Sequence, residues 1–153
     1  MPEMTAAFRS ESALIHHEHQ ALSSELAALE FALNSLIGYS EAFTNLAATE
    51  RVYRCGRHLA HTLPAHFENE EATVLAEIAR LSPELGKFAE EMKRQHSDLR
   101  QKLTGVCLLI DQVQSNSDME QAVFELKECG LEFARTLTAH MDAEERRFNS
   151  VAH

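Results

Sequence analysis

Nine histidines in a chain of 153 residues are the feature best placed to do chemistry, and they stand at positions 16, 17, 19, 58, 61, 66, 96, 140 and 153. Two of them carry an acid four residues later, His66 with Glu70 and His140 with Glu144. On a helix this interval puts both side chains on one face. The imidazole can then serve one metal ion while the carboxylate bridges to another. Nitrogen and carboxylate donors together suit iron, manganese or zinc. On a wheel of about 100° per residue, His19, His66, His96 and His140 each fall inside an apolar stripe. Four histidines and two acids exceed the four ligands of a simple zinc site, so two metals fit better. A lone buried histidine is usually a hydrogen-bonded core residue, and a lone His-x-x-x-Glu pair arises by chance on helix surfaces. Four stripe histidines at one depth, two with such acids, is a much harder coincidence.

The elements that must position these residues are helices. Ile15, Leu22, Leu26, Leu29, Leu33 and Leu36 recur at steps of three, four and seven, which predicts a first helix from about Glu11 to Ile37. Gly38 supplies a stop. A second helix is expected from near Glu41 to Leu81, with Val52, Cys55, Leu59 and Leu63 inward and Pro64 bending or breaking it. Ser82-Pro83-Glu84 reads as an N-cap, a first-turn proline and an acid. They open a third helix from Pro83 to Gln114, with Leu85, Ala89, Met92, Leu99, Leu103 and Ile110 inward. After the turn Ser115-Asn116-Ser117, Ser117 and Glu120 form a capping box. The fourth helix then runs to Ser150, with Ala122, Leu126, Phe133 and Leu137 inward. Short connections between long amphipathic helices imply an all-α, antiparallel up-down-up-down four-helix bundle. In that arrangement His19, His66, His96 and His140 cluster near one height. Residues 1–10 read as a tail and residues 11–153 as a single domain.

Composition agrees. With 5 Gly and 3 Pro the chain has few helix breakers. A net charge of −10 repels phosphate backbones and anionic lipid, which argues against nucleic acid and membrane as partners. No apolar run is long enough to span a bilayer, and the N-terminus lacks the marks of a signal peptide. The expected compartment is the cytoplasm, where Cys55, Cys107 and Cys129 stay reduced. Oligomeric state is not legible.

Other residues could support the site. His16, one turn before His19, lies at the edge of the core stripe and is a candidate further ligand. His17 points away, and His58 and His61 fall off the face of His66. Glu71 and Glu145 face away from their neighbours Glu70 and Glu144 and read as solvated acids, with some prospect of work behind the ligands. Arg100 shares the face of His96, so it should pair with a carboxylate near the centre, cover an open metal position, or snorkel out between helices. The cysteines each lie 11 residues from a stripe histidine. They should therefore face the core in one layer ~16 Å from the metals, as small packing residues or as a thiol cluster. Phe67 and Phe148 lie near the level of the site and could exclude water.

His66-Phe67-Glu68-Asn69-Glu70-Glu71 and His140-Met141-Asp142-Ala143-Glu144-Glu145 resemble the paired motifs of the hemerythrin-like (HHE cation-binding) family, and Glu18-His19 resembles its first-helix motif. The intervals from His66 to His96 and from His96 to His140 are similar to those of bacterial iron–sulfur cluster repair proteins of that group. The resemblance covers nearly the whole chain. It implies a di-iron centre, oxo- or hydroxo-bridged, with Glu70 and Glu144 bridging and His19, His66, His96 and His140 as terminal ligands. The chain departs from the pattern in places. Arg100 stands where oxygen-carrying hemerythrins have a second third-helix histidine, Glu144 replaces an aspartate one residue further along, and no histidine lies near Ser40. The cysteine-containing N-terminal domain of the repair proteins is not expected here. The set is one histidine short, which leaves a place for His16 or for water, an oxo group or a small ligand.

Three functions follow from this reading. The centre binds oxygen, nitric oxide or a similar ligand, as a sensor, carrier or scavenger. Alternatively it is a di-iron redox enzyme, or a protein that donates iron for cluster repair. A structural bundle without metal is the third, and would leave the inward histidines bonded to one another.

Overall fold

The computed structural model describes residues 6–36, 42–115 and 119–152. The chain forms α1 (Ala6–Asn34), α2 (Ala42–Ala72), α3 (Val74–Ala79), α4 (Pro83–Ser115) and α5 (Met119–Ala152), with no strand among the described residues. The long helices pack in a closed ring in which α1 meets α2, α2 meets α4, α4 meets α5 and α5 meets α1. This is the expected helical bundle. The inward residues of the leucine stripe of α1, from Ile15 to Leu36, are all buried, as are Leu59, Leu63, Leu99, Leu103, Leu126, Phe133 and Leu137 on the other helices. No helix among the described residues is long and apolar enough to cross a membrane. The Gly38 stop, Tyr39, Ser40, the Asn116-Ser117 turn with its capping box, and His153 lie outside the described residues.

Several boundaries differ from the sequence reading. Helix α1 begins at Ala6, inside the segment read as a tail, because Phe8 is fully buried against Ile15, Leu75 and Phe148 and extends the stripe by two turns. Helix α2 passes straight through Pro64. A proline removes one backbone donor, but Leu59, Leu63 and Phe67 bury on either side of it and hold the helix on course. The break comes later, at Thr73, whose backbone leaves the helical region (φ −114°, ψ −87°) while its hydroxyl donates to the Asn69 carbonyl at 2.7 Å. The segment expected as one helix to Leu81 is thereby split, and α3 packs against α4 and α1. At the start of α4, the Leu85 amide donates to Ser82 Oγ at 3.1 Å, which is the expected N-cap.

The core is in two pieces. The larger apolar cluster runs from Leu22, Phe67, Leu99 and Met141 to the far end of the bundle, and the smaller holds Phe8, Ile15, Val74, Leu75, Ile78, Ala89, Met92 and Phe148. The buried polar side chains His19, His66, Glu70, His96, His140 and Glu144 lie where the two clusters adjoin on the long helices.

Phe8→Ala should leave a cavity beneath α3 and cost about 3–5 kcal/mol of folding free energy. Chemical denaturation of the two proteins checks this; an unchanged midpoint would mean that the first turns of α1 do not belong to the core.

Candidate metal centre

Each long helix turns one imidazole into the polar layer: His19 from α1, His66 from α2, His96 from α4 and His140 from α5, all at most 5% exposed. Glu70 on α2 and Glu144 on α5 are completely buried among them. Both acids stand one turn beyond a histidine of their own helix, so the expected i, i+4 pairs form, with His66 Nε2 to Glu70 Oε2 at 3.2 Å and His140 Nε2 to Glu144 Oε1 at 3.0 Å. The carboxylates also reach across the bundle. Glu70 Oε2 lies 3.0 Å from His19 Nε2, while its Oε1 lies 3.0 Å from His96 Nε2. Glu144 places Oε1 3.4 Å from His19 Nε2 and Oε2 3.6 Å from His96 Nε2.

These short distances are mostly not hydrogen bonds. Nε2 of His66, His96 and His140, Oε1 of Glu70 and both oxygens of Glu144 are shielded from solvent without a hydrogen-bond partner. Buried polar atoms are normally paired, because leaving one unpaired costs about 1–3 kcal/mol. Six such atoms around one point need a common partner of positive charge. Two sets have donor atoms within 4.8 Å of one another, one formed by Glu70, His96, His140 and Glu144, the other by His19, His66 and Glu70. Glu70 belongs to both, with one oxygen facing each histidine pair. The residues present therefore fit a two-ion centre of mixed imidazole and carboxylate donors.

The profile of the hemerythrin HHE cation-binding domain matches residues 10–152. The chain belongs to that family. Neither a curated protein nor a solved structure matches it. As a hemerythrin HHE domain the chain carries a His/Glu metal-binding site, and the buried layer is where its histidines and glutamates meet.

Three of the outer ring nitrogens of this HHE domain are also hydrogen-bonded. His19 Nδ1 donates to Glu145 Oε1 at 2.8 Å, His66 Nδ1 to Glu18 Oε2 at 2.5 Å, and His140 Nδ1 to Gln95 Oε1 at 2.7 Å. His96 Nδ1 makes no hydrogen bond, although Glu71 Oε2 lies 3.4 Å from it. Gln95 is oriented in turn, its amide nitrogen donating to Glu91 Oε1 at 3.1 Å so that its oxygen is left for His140. The pattern closes on itself: α5 supports the histidine of α1, α1 that of α2, α2 that of α4, and α4 that of α5. Such contacts fix the tautomer and leave each Nε2 lone pair for the interior. Glu71 and Glu145, read as solvated acids, thus sit behind the donors. Gln95 was not singled out from sequence. All four acceptors are chain neighbours of a buried donor, which was the available signal.

His16 is not brought to the centre. It is exposed, and its Nδ1 lies 3.1 Å from Glu145 Oε2, so it steadies the acid behind His19 instead of joining the donors. One residue step is about 100° on a helix, and the three from His16 to His19 fall short of a full turn. Arg100 stands outside as well, 3.6 Å from Glu71 Oε2 with its guanidinium 5.6 Å from the Phe67 ring centroid. It takes the expected carboxylate partner and reaches the donors only through the Phe67 ring that stacks on His96. His17, His58 and His61 are exposed. Cys55 and Cys107 pack at the margin of the core, but Cys129 is exposed, which removes the three-thiol layer. At that level the stripe of α5 steps from Leu126 to Gly130, where an added Cβ would come within 2.6 Å of Leu33.

Without a metal, protons must balance the carboxylates. Burial pulls the His19 imidazolium down, but hydrogen bonding and charge from Glu144 and Glu70 outweigh it and raise the pKa from 6.5 to about 10. Burial also opposes the His96 charge, and the same two acids lift it from 6.5 to about 9. His66 is raised too, against burial, by Glu70 and Glu18. Burial works to raise Glu70 and Glu144; contacts with the histidines hold Glu70 well below and Glu144 below the ordinary 4.5. A raised histidine stabilises the fold fully below its unfolded value and loses that contribution as pH rises through the folded value. A depressed carboxylate stabilises above its unfolded value and loses it on acidification. The chelator-treated protein should therefore be most stable between about pH 4.5 and 6.5 and lose stability toward pH 9–10. Metal displaces those protons, so the loaded protein should show no such alkaline decline. Melting temperatures of both forms from pH 5 to 10 test this, and a flat profile for the chelator-treated form would contradict it.

Proposed function

We propose that this HHE protein is a non-haem di-iron protein whose centre reversibly binds dioxygen, nitric oxide or a related small ligand, as a sensor, carrier or scavenger. In this reading His19, His66, His96 and His140 are terminal ligands, and Glu70 and Glu144 bridge the two ions. The carrying observation is the division of the Glu70 carboxylate, one oxygen toward His19 and His66 and the other toward His96, among donor atoms that have no other partner. When bound, a pair of irons would supply redox-active ions able to take a diatomic ligand.

The chain's own residues would then hold and enclose the site. The outer acceptors Glu18, Glu71, Gln95 and Glu145 keep each imidazole aimed inward. Phe67 stacks on His96 with centroids 4.0 Å apart and meets His140 edge-on at 5.9 Å, so an apolar face closes one side. The two apolar clusters close the layer from above and below and keep bulk water from the donors. Exclusion of water slows irreversible oxidation, which favours reversible binding over turnover. The cytoplasm, where the free thiols stay reduced, is the compartment assigned by this reading.

Metal analysis with visible spectroscopy of the reduced protein tests the proposal. The expected result is about two irons per chain and a visible band on exposure to oxygen or nitric oxide that reverses when the gas is removed. Glu70→Gln should lower the iron content to about one ion per chain or less. Rapid irreversible bleaching would instead support a redox enzyme or an iron donor, and a protein that retains no iron would falsify the di-iron reading.

A further inference from the structure

The two sides of the polar layer differ in what covers them. On the side of α4, Phe67 lies flat on His96, and the Arg100 guanidinium stands over Phe67 and beside Glu71. An approaching cation would meet a hydrocarbon ring and a fixed positive charge. On the side of α1 and α2 there is a cleft of about 350 Å³, lined by Glu18, Ala21, Glu25, His61, Ala65 and His66 among others, with no lysine or arginine in its wall. Its inner wall is His66, whose side chain is only 5% exposed and whose Nε2 is one of the unpartnered atoms of the centre. The cleft thus ends at His66, which belongs to the donor set with His19 and Glu70.

Two carboxylates mark the way in. Glu25 accepts from His58 Nε2 through Oε1 at 2.7 Å, while its Oε2 is shielded from solvent without a partner. Two turns earlier on α1, Glu18 is 41% exposed yet reaches His66 Nδ1 through Oε2. One oxygen of Glu18 is therefore tied to a centre histidine while the side chain faces the cleft. Acidic clefts raise the local concentration of cations and speed their capture by factors of about 10–1,000.

We propose that the α1–α2 cleft is the route by which divalent metal cations load the centre, with Glu25 capturing the ion and Glu18 passing it beside His66 to the His19–His66–Glu70 half. This rests on the metal-centre reading above. Ala21 and Ala65 keep the passage open because neither carries a side chain that would cross it.

Stopped-flow uptake of cobalt(II), followed by its visible bands in the chelator-treated full chain, tests the route. Glu25→Gln removes the capturing charge, Ala65→Phe narrows the passage from an exposed position, and Glu132→Gln removes a charge from another acidic cleft, lined by Glu30 and Glu128. Glu25→Gln and Ala65→Phe should each slow uptake roughly tenfold with unchanged final stoichiometry, and Glu132→Gln should load like the wild type. Ala65→Phe should also slow removal of bound cobalt by chelator. Uptake at the wild-type rate in both cleft variants, or equal slowing in all three, would overturn the route; the second result would assign the effect to the overall negative charge. A wild-type chain that takes up no cobalt or iron would sink the underlying metal reading instead.

Discussion

Two carboxylates and four imidazoles buried at the centre of a bundle set the terms for the rest of this structure. Moving an isolated carboxylate into an apolar interior costs many kilocalories per mole, and the penalty is avoided only by charge and hydrogen bonds placed close by. Glu70 and Glu144 are fully buried, so positive charge must always be near them. In the metal-free chain that charge is protons on His19, His66 and His96: the acids raise all three imidazoles despite burial, His19 to about 10 and His96 to about 9. Both nitrogens of His19 face carboxylate oxygens, which can only accept, so the ring must carry two hydrogens in that state. Were a cation held there, His19 Nε2 and the carboxylates would face it while the outer hydrogen bond to Glu145 could stay in place. The same architecture therefore serves both states, and exchange between them is an exchange of metal for protons.

The closed ring of outer acceptors follows from helix geometry. A residue next to a buried donor lies about 100° around its helix, at the seam with a neighbour. Glu18, Glu71, Gln95 and Glu145 each occupy that place and meet the histidine of an adjacent helix. Because every long helix gives one histidine to the layer and one outer acid or amide, rotation of any of them disturbs contacts at two seams. The apolar clusters above and below add the low dielectric that strengthens these contacts.

Much of this was legible in the chain. The apolar stripes gave the helices, the Ser82 cap gave the start of α4, and the two His-x-x-x-Glu pairs with the stripe histidines His19 and His96 gave six inward residues that the structure brings together. Features set by contact between helices were not legible. Glu145 supports His19 because α5 lies beside α1 at a particular rotation, which no periodicity within either helix specifies. Thr73 breaks α2 where proline chemistry pointed to Pro64, because burial on both sides outweighs one lost hydrogen bond. Phe8 was hidden in a polar N-terminal stretch, since a single aromatic among charged residues gives no stripe. Cys129 shared a nominal face with His140, but the stripe drifts over three turns and Gly130 takes the inward place.

The charges around the layer bear on why Gln95 and Arg100 depart from the otherwise acidic surroundings. The donors Glu70 and Glu144 bring two negative charges, and the outer acceptors Glu18, Glu71 and Glu145 bring three more. Gln95 brings none, and Arg100 offsets one through Glu71. The remainder is four negative charges, which two divalent cations with neutral imidazoles would balance. A fourth outer acid, or a neutral residue in place of Arg100, would leave an excess negative charge near a low-dielectric interior, where unit charges interact far more strongly than in water. The amide at Gln95 orients His140 as an acid would, through one accepted hydrogen bond, without adding a further negative charge beside Glu70 and Glu144.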